Sequence, residues 1–66
     1  MKLADINLYQ LSEMMGDATI WEASIMFDLM QEKGIEDTNE IVQSDWDEWL
    51  DLSYNIYQER RNTGAN

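Results

Sequence analysis

The sequence predicts an all-α fold, a small bundle of about three helices. Apolar residues recur closer to every 3.6 positions than to every second one. Proline is absent, so no imposed break interrupts a long helix. Three glycines, Gly16, Gly34 and Gly64, punctuate the chain where helices would end.

The first helix is expected over 7–15. Asn7 is read as its N-cap, with Gln10 three residues on as the capping-box partner; Asp5 is a rival start. Leu8, Leu11 and Met15 share one face, with Met14 beside it. Gly16 suits the left-handed residue that closes a helix.

The second helix is expected over 18–33. Asp17 is read as its N-cap, and Thr19 with Glu22 forms a second candidate capping box one turn in. Gly34 ends it, with Ile35 placed to meet Met30 in a Schellman close. Ile20, Trp21, Ala23, Ile25, Met26, Phe27, Leu29 and Met30 cover most of the helix circumference. Only Ser24, Asp28 and Gln31 form a polar stripe. A helix that is apolar nearly all round is a buried one, so this is read as the central helix. Two short neighbours are not expected to cover it. A homodimer is therefore expected, with Met26 and Leu29 as the self-association seam.

The third helix begins near 38 or near 45 and runs to 61. Asp37 or Thr38 can open a turn that includes Ile41 and Val42. Ser44 can then cap a helix from Asp45, or a single kinked helix can run from Thr38. Trp46, Trp49, Leu50, Ser53, Tyr54, Ile56 and Tyr57 fill one arc and are expected to face the core. Asp47, Glu48, Asp51, Asn55 and Glu59 fill the opposite arc. Arg60 and Arg61 complement the negative end of the helix dipole. Residues 1–61 are read as a single domain and 62–66 as a frayed tail.

Composition narrows the function classes. The chain has 66 residues, 44% of them hydrophobic, with three Trp, three Tyr and one Phe. That is too apolar and too aromatic for a disordered acidic tail. A domain this small has a thin stability margin, and with no cysteine no disulfide supplements it. Without Cys or His the common nucleophile–base pairs and the usual zinc ligands are missing. No Gly-rich phosphate loop or EF-hand spacing occurs. Neither an enzyme nor a resident metal or cofactor is expected. No apolar leader segment opens the chain, and no run approaches a membrane span of about 18 residues. A cytoplasmic location and no membrane partner are expected.

Charge is the dominant signal. Fourteen acidic residues face four basic ones, giving a formal net charge of −10. Between Lys33 and Arg60 no positive residue occurs, yet Glu36, Asp37, Glu40, Asp45, Asp47, Glu48, Asp51 and Glu59 all fall there. Asp47 with Asp51 and Glu48 with Asp51 sit one helical turn apart, where like charges repel by a few tenths of a kcal/mol per pair. An ordinary solvated face mixes signs. Such a chain repels nucleic acid directly and attracts basic protein surfaces, including those that normally hold nucleic acid.

The expected function is that of a protein inhibitor that imitates nucleic-acid charge and blocks a nuclease, a restriction or CRISPR complex, or a polymerase. A phage or mobile-element origin and a host target fit that role. Glu40, Asp45, Asp47, Glu48, Asp51, Leu52, Asn55 and Glu59 form the expected partner-binding set, Leu52 as the apolar contact among the carboxylates. Three other readings stay open. The acidity serves solubility alone, the protein is a helical adaptor that docks a partner through an apolar seam, or it neutralises a basic toxin.

Overall fold

A computed structural model describes residues 1–64. Among them lie three α-helices: α1 (Leu8–Met14), α2 (Ile20–Glu32) and α3 (Gln43–Gly64). Two short 3-10 turns, Leu3–Asp5 and Thr38–Glu40, precede α1 and α3. The all-α bundle predicted from periodicity is the fold found, with α2 at its centre, packed against both α1 and α3.

The local signals at α1 act as expected. Asn7 Oδ1 accepts the Gln10 N–H at 2.8 Å, and Gln10 Oε1 accepts the Asn7 N–H at 3.1 Å. Two of the free donors at the helix start are thus satisfied reciprocally. Gly16 takes φ +86° after the helix, and its N–H reaches the Glu13 carbonyl at 3.1 Å.

The start of α2 departs from expectation. Asp17 has φ +60°, a left-handed conformation. An N-cap needs extended backbone, so Asp17 cannot fill that role. Thr19, at φ −71° and ψ 159°, takes it, and its Oγ1 accepts the Glu22 N–H at 3.1 Å. The helix therefore begins at Ile20 instead of Ala18. Its end follows the expected design. Gly34, at φ +76°, donates to the Gln31 carbonyl, and Ile35 N–H donates to the Met30 carbonyl, both at 3.0 Å. These are the two bonds of a Schellman close.

Neither expected start of α3 is the one found. Asp37 caps the 3-10 turn, its Oδ1 accepting the Asn39 N–H at 2.9 Å. Ile41 is then extended, at φ −85° and ψ 119°, so no single helix runs from Thr38. The Val42 carbonyl accepts the Trp46 N–H at 3.0 Å, and α3 starts at Gln43 with Ser44 inside its first turn. The helix also outruns Arg61. Asn62, Thr63 and Gly64 belong to it, with Thr63 Oγ1 donating to the Glu59 carbonyl at 2.9 Å. Residues 65 and 66 of the expected tail lie outside the described residues.

An unforeseen strap completes the bundle. The first residues run antiparallel to the α2–α3 connection. Leu3 N–H donates to the Glu36 carbonyl and Thr38 N–H to the Met1 carbonyl, both at 2.9 Å. The Met1 ammonium reaches Asp37 Oδ1 at 3.0 Å and Thr38 Oγ1 at 3.1 Å. This strap brings Leu3 and Ile6 into the core with Leu11, Ala23, Ile25, Met26, Leu29, Met30 and Trp49.

Met26 is fully buried and Leu29 nearly so, within the single chain. The seam expected at these two residues is corrected: they are core, in one buried cluster with Leu3, Ile6, Leu11 of α1 and Trp49 of α3. On an ideal wheel the buried residues of α2 span about 160° around Met26, and Trp21 falls about 40° outside that arc. Trp21 is 68% exposed. Tyr54 of α3, expected to face the core, is also exposed, whereas Trp49 and Ser53 are buried and Trp46 and Tyr57 half-buried.

Candidate partner-binding face

Trp49 and Ser53 set the orientation of α3. Both are buried, Ser53 completely. The side about 180° away must then face solvent. Asp47, Glu48, Asp51, Leu52, Asn55 and Glu59 lie there, and all six are exposed. Asp47, Asp51, Asn55 and Glu59 follow one another at four-residue steps, each advancing about 40° around the axis. From Asp47 to Glu59 the row runs about 18 Å on a rigid helix. Neighbouring side chains along it stand about 5–6 Å apart.

Two of the expected residues are separated from this row. Glu40 sits in the 3-10 turn ahead of α3, and its Oε2 accepts the Glu36 N–H at 3.2 Å. It stabilises the connection and is no part of the helical face. Asp45 is half-buried on the flank, about 160° round from Asp47. Leu52 does stand among the carboxylates, 41% exposed, as the sequence suggested.

The row carries no counter-charge. Among the described residues the one ion pair joins the Met1 ammonium to Asp37, and neither residue belongs to α3. Asp47 accepts a single hydrogen bond, from the neutral amide of Gln43 at 3.0 Å. Asp51, Glu48 and Glu59 share one side of one helix with no Lys or Arg beside them until Arg60. No three acidic side chains converge closely enough to hold a metal ion among the described residues. The carboxylates are spread along a rod, an arrangement suited to contacting an extended cationic surface and unsuited to chelation. Among the described residues no helix is long and apolar enough to cross a membrane.

The structure also displays a feature that helical periodicity did not single out. The first two turns of α2 and the last turns of α3 meet in a hollow of about 290 Å³ lined by Trp21, Ile25, Tyr57, Arg60 and Arg61. This places the start of α2 beside the end of α3, so the two helices run antiparallel. In sequence Trp21 belongs to the apolar girdle of α2, and the arginines complement the dipole of α3. Their meeting depends on how α2 crosses α3, which no local pattern encodes.

Comparison with protein families, with curated proteins and with solved structures gives no match for this chain.

Proposed function

We propose that this protein is an acidic decoy. Its α3 row occupies a basic groove that normally holds a nucleic-acid backbone, and so inhibits the protein that owns the groove. One observation carries the reading: an exposed row of carboxylates on a rigid helix, with no cation on the described residues to neutralise it. A fold under selection for stability alone has a simple remedy, since one Lys placed a turn away from Asp51 would turn repulsion into attraction. Retaining the like-charge pairs is costly to folding and useful to a cationic partner.

The mechanism is electrostatic. Complementary charge accelerates encounter and fixes register more than it adds final affinity. Leu52 and Asn55, within the row, supply the short-range contacts that charge alone lacks. A row about 18 Å long is commensurate with several phosphates of a nucleic-acid strand. A target gripped this way is blocked by occupation, with no catalytic step by the decoy.

The test is capture from lysate of the source organism, in low and high salt, by the parent and by Asp47→Asn/Asp51→Asn. The expected result is capture of a nucleic-acid-binding protein that added DNA or RNA displaces and that the double variant retains poorly. Capture that ignores both competitor and salt contradicts the proposal. The exposed Leu52 supports a second reading, an adaptor that docks through apolar contact, and that outcome would favour it.

A further inference from the structure

We propose that the hollow between the start of α2 and the end of α3 is a second docking site, which takes an acidic segment of a partner protein through a large apolar side chain next to a carboxylate. It does not depend on the role proposed for the acidic row. The hollow has the chemistry for such a segment. Ile25, buried, and Tyr57, half-buried, form apolar walls, and Trp21 stands beside them at 68% exposed. Arg60 and Arg61 line the same hollow, and both are exposed. Neither arginine forms an ion pair among the described residues, although the chain carries fourteen carboxylates. Half of the chain's four cationic side chains are therefore gathered at one apolar hollow and left without partners.

Trp, Tyr and Arg are the residue types that most often dominate binding energy at interfaces. A guanidinium also accepts a carboxylate in bidentate fashion, and the flat Trp and Tyr rings hold an aliphatic or aromatic side chain alongside. On the α3 wheel Arg60, Tyr57 and Arg61 lie about 160°, 140° and 100° from the centre of the carboxylate row. The two surfaces therefore face different directions and can be occupied together. A basic groove would meet one and an acidic, apolar segment the other.

The test is a two-dimensional amide and indole NMR titration of the full isotope-labelled protein. The probes are three short peptides: acetyl-Glu-Leu-Phe-Asp-amide, its Gln/Asn counterpart, and its Lys/Lys counterpart. The Trp21 indole signal, assigned with Trp21→Phe, and the Arg60 and Arg61 side-chain signals should shift with the acidic peptide at about millimolar concentration. The Gln/Asn peptide should bind about tenfold more weakly and the basic peptide should leave these signals in place. Arg60→Gln/Arg61→Gln should abolish the preference for acidic over neutral peptide, and Trp21→Ala should abolish binding of both. Both variants alter exposed side chains, and an unchanged helical circular-dichroism spectrum shows that they fold. Equal shifts with all three peptides, or no shift at Trp21, overturn the proposal. So does self-association of the unliganded protein in sedimentation that Trp21→Ala removes, because a second copy would then be the occupant.

Discussion

Gln43 Nε2 donates to Asp47 Oδ1 at 3.0 Å, one turn apart on α3. Among the described residues it is the only hydrogen bond to a side-chain carboxylate of the row. The row is thus anchored at its first member by a neutral amide and left free beyond it.

Removing charge from the row should therefore relieve the fold. Asp47→Asn/Asp51→Asn should unfold at the same or slightly higher denaturant concentration, a gain of a few tenths of a kcal/mol per like-charge pair removed. Added salt should raise the stability of the parent more than that of the variant, because screening removes the same repulsion. Urea titrations at two ionic strengths measure both effects.

Met26 and Leu52 should separate core from surface. Met26→Ala should cost about 2–5 kcal/mol, as truncation of a fully buried side chain does. Leu52→Ala, at a 41% exposed site, should stay within about 1 kcal/mol. Comparable losses for the two variants in urea unfolding would contradict the packing described here.

The cap of α2 gives a sharper comparison. Thr19→Ala should destabilise by about 0.5–2 kcal/mol through loss of the bond to Glu22 N–H. Asp17→Gly should be neutral or stabilising, since Asp17 holds φ +60° and glycine adopts that conformation freely. If Asp17 capped the helix, as its position in the sequence suggests, the order of the two effects would reverse.

Acid should weaken the N-terminal strap. The Asn39 N–H, and then the Met1 ammonium, hold the Asp37 carboxylate below its ordinary pKa of 3.8. A lowered folded-state value means that the contribution is complete above the unfolded value and disappears as pH falls through the folded one. The stability gap between the parent and Asp37→Asn should be constant near neutrality and close as pH drops below about 4. Thermal melts of both proteins at stepped pH measure that gap. A gap that persists unchanged into strong acid would remove the carboxylate from the account.

What was legible in the sequence was what short stretches encode. Asn7 with Gln10 formed its capping box, Gly16 and Gly34 took positive φ, and the 3.6-residue period of α3 placed Asp47, Asp51 and Glu59 on the outer side. Contacts distant in sequence were not legible. Leu3 and Ile6 enter the core because the first residues pair with residues 36–38, and they join the buried cluster that holds Met26 and Leu29. Glu40 looked like one more member of the acidic row until its bond to Glu36 N–H placed it in a separate turn. Two left-handed residues in succession, Gly16 and Asp17, moved the cap of α2 to Thr19. Tyr54 sits near the boundary of the buried arc, where a wheel cannot decide exposure.

The most direct test of the acidic row is the salt dependence of affinity for the captured partner, measured for the parent, for Asp47→Asn/Asp51→Asn and for Leu52→Ala. The expected result is a steep loss of affinity with salt in the parent, a flatter and weaker curve in the double variant, and the parent's slope retained in Leu52→Ala. An unchanged curve for the double variant, with binding abolished in a still-folded Leu52→Ala, would contradict it and assign the contact to the apolar surface.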